Sequence, residues 1–172
     1  MIIAGIGARK TPQEFLEIFE AVGQEALKRG WYVRSGHADG ADYAFELGAK
    51  ENCIVYLPWK SFNSDKPVLG EAVCVDLRED VLEMVYRHEP YAMECNIGIK
   101  RIKARNVYQV LGVDLQKPSD IVVCWTPEGK IVGGTGLAMK LARKANIPII
   151  NVGAWDTPVT PEQVIEAIEL LT

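Results

Sequence analysis

Histidine occurs only twice in the 172 residues, and cysteine only four times. Cys53, Cys74, Cys95 and Cys124 stand far apart with no C-x-x-C pair, a spacing that speaks against a zinc site and leaves reduced thiols as the expectation. No metal site is expected. Long hydrophobic runs are missing too: none approaches the roughly 20 residues that span a bilayer. Residues 1–6 lead straight into a strand, without a charged region or a cleavage site, so neither a signal peptide nor a membrane partner is expected and the chain reads as cytoplasmic. An excess of positive charge is absent. A net charge of −4 argues against a general nucleic-acid surface, though a local basic patch stays compatible with it. Two nucleotide signatures are also lacking. There is no G-x-x-x-x-G-K-[ST], and Gly5-Ile6-Gly7 has neither the third glycine of the dinucleotide fingerprint nor an acidic residue after the second strand. No cofactor is expected.

What is present is a regular alternation. Residues 1–6, 31–34, 53–57, 121–125 and 148–152 are short, near-continuous apolar runs. Between them, residues 12–29, 40–50, 137–145 and 161–171 carry helical patterns. In the first helix Phe15, Ile18, Phe19, Val22 and Ala26 share one face, Thr11-Pro12-Gln13-Glu14 reads as its start, and Gly30 ends it. Thr160 caps the last helix. Strands of this kind joined by helices imply a parallel sheet covered on both faces, a doubly wound, mostly parallel Rossmann-like α/β fold. One domain over residues 1–172 is expected, with an insertion at about 60–119. Within that span residues 62–70 read as a surface loop, and 78–91 and 103–111 as helices.

In such sheets ligands lie beyond the carboxyl ends of the strands. Two of the loops there are rich in glycine. Gly133-Gly134-Thr135-Gly136 follows the strand at 121–125 and opens a helix, an arrangement that offers backbone N–H groups to an anion. Ser35-Gly36-His37-Ala38-Asp39-Gly40-Ala41-Asp42 holds the equivalent place after the strand at 31–34. Arg9 follows the first strand and reads either as a phosphate partner or as a solvated loop residue. Asp39 and Asp42 read as caps of the second helix or as catalytic carboxylates, and His37 as an exposed loop residue or a proton shuttle. Trp59 and Trp125 read as partial core or as platforms that stack a base.

These segments, with Gly7-Ala8-Arg9 after the first strand, resemble the SLOG superfamily. That group unites the DNA-processing recombination mediators (DprA, also called SMF) with the LOG-type cytokinin-activating phosphoribohydrolases. The S-G-x-A-x-G-A-D element is closest to the recombination-mediator branch, as in small single-domain DprA-like proteins from bacteriophage genomes. The resemblance implies a site for a nucleotide, a nucleotide-derived compound or a nucleic-acid phosphate. Gly7 and Arg9 would border the ligand, and Ser35, Gly36 and Gly40 would form one phosphate-facing turn. Gly133, Gly134, Thr135 and Gly136 would form the other, with Arg105-Asn106 matching an Arg-Asn element near the ligand. A homo-oligomer is expected.

The departures from the family narrow the function. LOG-type hydrolases carry P-G-G-x-G-T-x-x-E. Here Val132 stands for the proline, Leu137 for the threonine and Lys140 for the glutamate. Attack on a glycosidic bond needs a carboxylate, which lysine does not supply, so Asp39, Asp42, Asp120 or Glu128 would have to substitute. The DNA-binding branch needs clustered cations, and only Lys100, Arg101, Lys103 and Arg105 provide them. Three readings follow: a nucleotide-binding module without turnover, an enzyme acting at a nucleotide N-glycosidic bond through His37, Asp39 or Asp42, and a single-stranded DNA binder using the basic cluster.

Overall fold

A computed structural model, which describes residues 1–156 and 158–172, contains one six-stranded sheet. Its strands are β1 (Ile2–Gly7), β2 (Tyr32–Ser35), β3 (Cys53–Leu57), β4 (Glu71–Cys74), β5 (Ile121–Trp125) and β6 (Ile149–Asn151). They lie in the order β4-β3-β2-β1-β5-β6, and every pairing is parallel. The doubly wound Rossmann-like class read from the alternation is the class observed. The helices are α1 (Gln13–Lys28), α2 (Ala41–Ala49), α3 (Glu79–His88), α4 (Ile97–Leu111), α5 (Gly133–Lys144) and α6 (Pro161–Leu171).

Strand residues alternate between two cores, as the two-residue period of a strand requires. Ile3, Val33, Val55, Ile121 and Val123 face Phe15, Phe19 and Val22 of α1, Phe45 of α2 and Val164 and Ile168 of α6. Ala4, Ile6, Tyr56, Val122 and Cys124 face Val81 and Val85 of α3, Val107 and Tyr108 of α4 and Leu137 and Leu141 of α5. Helices α1 and α2 pack backbone against backbone. A Cβ at Gly23 would run into the Phe45 carbonyl, and one at Gly48 into the Glu20 carbonyl. Cys53 and Cys124 are buried thiols, Cys124 pushed up to about 12 by burial, whereas Cys74 is exposed. Among the described residues no helix is long and apolar enough to cross a membrane.

Several elements differ from the sequence reading, each for a local reason. Thr11 does not cap α1. Its hydroxyl donates to the Ala8 carbonyl at 2.6 Å, and Pro12 stands at the cap. Thr160 does cap α6, in a capping box with Gln163. Helix α4 begins at Ile97 rather than at 103, because the Asn96 side chain accepts the Ile99 N–H at 3.0 Å and starts the helix there. The span 60–119 carries a strand that its composition hides, since three of the four residues of β4 are exposed on the sheet edge. Helix α5 begins at Gly133 rather than at 137, so the glycine segment is its first turn.

Candidate functional site

The strand order reverses between β1 and β5, and the crevice beyond their carboxyl ends is where this class of sheet leaves room for a ligand. A cleft of about 510 Å³ opens there. The end of β1 contributes Ile6 to Lys10, the end of β5 contributes Trp125 to Pro127, and Val132 to Thr135 form its third side. Helix α4 closes the fourth with Ile102, Arg105 and Asn106, while Ala38 and Asp42 reach it from the β2 side.

The start of α5 leaves its first N–H groups without intrahelical acceptors, as in any helix. No side chain caps it: Val132 is the cap residue, and no side-chain hydrogen bond is made there. Gly133, at φ +62°, has open space where a Cβ would stand. Asn106 fixes this turn from α4, donating through Nδ2 to the Gly134 carbonyl at 3.1 Å. Arg9, also in the lining, is exposed and forms no ion pair among the described residues. A positive helix end and a free guanidinium thus border one largely apolar cleft, a combination suited to an anion carried on an apolar or aromatic body.

The second glycine loop is built differently. Most of its polar groups are bonded inside the protein. The Asp42 carboxylate accepts the Gly7 N–H at 3.2 Å, the Gly36 N–H at 3.1 Å, Arg105 Nη1 at 3.0 Å and Gln109 Nε2 at 3.3 Å. Arg105 Nη1 also donates to the Gly36 carbonyl. The Ser35 hydroxyl donates to the Asp42 carbonyl at 2.9 Å and accepts the His37 N–H. Gly36 lacks a side chain because the Arg105 guanidinium occupies that space. Gly40, at φ +83°, lies against the Ala8 and Arg9 carbonyls. Burial pushes the Asp42 carboxyl up and the Arg105 guanidinium down from their ordinary values, against their mutual attraction.

His37 is neither exposed nor on the cleft. It is fully buried, with Nδ1 2.9 Å from Glu46 Oε2, and that bond holds its pKa above the ordinary value against the opposing effect of burial. Glu46 also accepts the Leu69 N–H at 2.9 Å, and Asn63 Nδ2 donates to the His37 carbonyl at 2.9 Å. The segment 58–70 is thereby strapped over the β2–α2 loop. Asp39 caps nothing and pairs with Lys66 at the surface; Asp42 caps nothing either, being the second residue of α2 with its carboxylate directed at β1, β2 and α4. Asp120 accepts the Ile2 N–H at the amino end of the central strands, opposite the cleft, and Glu128 pairs with Lys130 outside the cleft.

The structure therefore gathers Gly7, Arg9, Arg105, Asn106, Gly133, Gly134, Thr135 and Trp125 around one cleft, and leaves Ser35, Gly36, Gly40, Gly136 and Trp59 off its lining. Trp125 packs at 6.0 Å against Phe15 and also lines the cleft, whereas Trp59 stacks edge-on against Phe62. A Cβ at Gly136 would press on Ile131. Lys140 points away and donates to the His88 carbonyl at 3.3 Å. Of the basic cluster, Lys103 pairs with the buried Glu89 and Arg105 with Asp42, which leaves Lys100 and Arg101. Sequence reasoning missed Ile102 in the lining, for which the i, i+4 spacing to Asn106 was the available signal. It also missed Asn151, which holds the end of β5 by accepting the Thr126 N–H at 3.1 Å and donating to its hydroxyl.

No protein-family model matches the chain, and no curated protein does. Solved structures do. DNA processing protein A from Helicobacter pylori, described for its single-stranded DNA binding mode, superposes with a TM-score of 0.59 at 17% identity over 97% of this chain and 72% of that one. The molybdenum cofactor (Moco) carrier protein of Chlamydomonas is similar in two structures. One gives a TM-score of 0.62 at 17% identity, covering 99% of this chain and 97% of that one, and the other gives 0.56 at 18%, covering 99% and 96%. At these identities the likeness establishes a shared fold.

Proposed function

We propose that this chain is a single-domain member of the SLOG group that binds a small phosphate-bearing, nucleotide-type ligand and does not turn it over. One observation carries the reading. The uncapped start of α5 and the unpaired Arg9 both line the cleft at the point where the strand order reverses. The phosphate would rest on the amides of Gly134 and Thr135 with Arg9 above it, and the apolar walls at Ile102 and Trp125 would take the rest of the ligand. Absence of turnover rests on the carboxylates. Asp42 is saturated by four donors, Asp39 is paired outside the cleft, and Lys140 is directed elsewhere. A carrier protein of nearly equal length with the same fold supports binding as the function more closely than a DNA-binding protein that this chain covers for 72% of its length.

The test is a thermal-shift screen of nucleoside monophosphates, diphosphates and inorganic pyrophosphate. A stabilising compound is expected. Arg9→Ala should weaken it by about tenfold or more, the worth of one charge-assisted contact, and Gly134→Val should abolish it while the protein stays folded. A shift that survives both substitutions places the site elsewhere. Release of free base from the bound nucleotide, followed by chromatography and lost in Asp42→Asn, would replace the binding reading with an enzymatic one.

A further inference from the structure

A carboxylate with a bonded guanidinium, both side chains almost wholly inaccessible, is a poor device for stability alone. Removing two charges from water offsets most of their attraction, and an apolar pair of similar volume does as well or better. Asp42 and Arg105 are such a pair, at 2% and 4% exposure, and they sit directly under the cleft. What an apolar pair cannot do is bond two backbone amides on two different loops. Asp42 Oδ1 takes the N–H of Gly7 at the end of β1, and Oδ2 takes the N–H of Gly36 just past the end of β2. Oδ2 also takes Arg105 and Gln109 from α4. Three elements meet on one carboxylate.

We infer that Asp42 is the positioning residue of the cleft: its ionised carboxylate sets the spacing of the β1 and β2 loops against α4, and holds Arg105 inward on the Gly36 carbonyl. Arg9 is thereby left as the guanidinium free to meet an anion. Gly7 precedes Ala8 and Arg9 directly, so the anchor of Gly7 is also the anchor of Arg9. The glycine at 36 follows from the same design, since a Cβ there would displace Arg105 from Asp42. An amide at position 42 has the shape but not the chemistry. Its NH₂ would meet either the N–H of Gly7 or the N–H of Gly36 and the guanidinium, donor against donor, so that loop loses its anchor, while the other keeps a neutral acceptor in place of a charged one and is displaced as well. This role rests on the proposed binding cleft for its consequence, but the positioning itself is visible without any ligand.

The titration that reports it involves few other groups. Arg105 faces Asp42 from α4, Arg9 acts on Arg105 from the β1 loop, and Cys53 on β3 lies within its field, as it does within that of Glu46 further along α2. In ligand-free protein followed by amide NMR, the Gly7 and Gly36 resonances should move together on acidification with one shared midpoint above the ordinary carboxyl range. In Asp42→Asn both should be displaced at neutral pH and lose that titration, while Gly133 and Gly134 hardly move. Separate midpoints, or displacement of one glycine alone, overturns the assignment. With AMP as the probe in calorimetry, Asp42→Asn should bind roughly tenfold more weakly, and wild-type affinity should follow the Gly7 and Gly36 titration. Unchanged AMP affinity in a variant whose amides have both shifted overturns the link to binding. Failure of AMP to bind wild type counts against the binding reading and leaves the amide result to decide the positioning role.

Discussion

The two glycine-rich loops stand on the same edge of the sheet, one after β2 and the other after β5, and they use their backbone in opposite ways. In the loop after β2, the Gly36 amide and carbonyl are taken by Asp42 and Arg105, and His37 is locked on Glu46. In the loop after β5, no side chain caps the helix and a Cβ at Gly133 would meet nothing. The first loop is a joint between elements. The second is an open surface. Glycine serves both, because it admits close approach of another group, and that group is a guanidinium in one case and open space in the other.

The sharpest way to break the comparison is to add one methyl group to each loop. Gly36→Ala drives a Cβ into the Arg105 guanidinium and separates a buried ion pair. Losing such a pair costs about 3–5 kcal/mol, a large fraction of the roughly 5–15 kcal/mol that holds a domain together. The variant should unfold at much lower urea, or fail to accumulate. Gly133→Ala meets only the left-handed backbone penalty of about 1–2 kcal/mol, a fall in melting temperature of a few degrees at about 2–4 °C per kcal/mol. Equal losses at the two positions, in parallel urea titrations, would erase the distinction between joint and surface.

This contrast is also what the sequence could not carry. The sheet and its cores were legible, because runs such as residues 121–125 and the Phe15–Ile18–Phe19–Val22 face encode burial by local periodicity alone. The crevice was legible too, since strand ends and a helix start are local features: Gly7, Arg9, Gly133, Gly134 and Thr135 all line it, whereas Asn106 on α4 was reached only through the family resemblance. The loop after β2 was read as a twin of the other, and what separates them is not local. The group that fills the space over Gly36 is Arg105, 69 residues further along, and Glu46 meets the Leu69 amide from a segment read as plain surface loop. Nothing in the sequence shows that Lys103 and Arg105 are already paired, for the same reason: their acceptors, Glu89 and Asp42, lie on other elements.

A second, smaller way to probe the comparison is pH. The bond to Glu46 raises the His37 pKa in the folded protein. A raised histidine pKa means that the folded state holds its proton more tightly than the unfolded chain. The stability from this pair is therefore complete below the ordinary value of about 6.5 and is lost as pH rises through the higher folded value. Wild type should lose stability to urea between mildly acidic and mildly alkaline pH. Glu46→Gln, less stable at the acid end, should be flatter across that range. The start of α5 has no titrating side chain of this kind, so in ligand-free protein the Gly133 and Gly134 amides should change less over the same interval than stability does. His88, pushed below its ordinary value by burial and by Lys144 and Lys140, works in the opposite sense, so the readout is the difference between wild type and Glu46→Gln: a difference that does not shrink as pH rises would show that His37 is held neutral.

The smallest effect is expected where the sequence placed a basic cluster. Four free cations on α4 would give single-stranded DNA a log–log salt slope of about −3, at roughly −0.7 per phosphate contact. Two of the four are already spent. Lys103 is bonded to Glu89 and to the Tyr91 hydroxyl, and Arg105 to Asp42 and the Gly36 carbonyl. Lys100 and Arg101 remain, Lys100 lying 5.8 Å over the Tyr86 ring, and two contacts predict a slope of only about −1.4. With a net charge of −4 over the whole chain, oligonucleotide binding at physiological salt should be weak. Reversing Lys100 and Arg101 to glutamate should remove what binding there is, yet leave the thermal shift produced by a nucleotide in the cleft almost unchanged, because neither residue lines it. A steep slope near −3 in a mobility-shift titration would mean that Lys103 and Arg105 leave their buried partners for phosphate, and the joint would then be as open as the surface it is contrasted with.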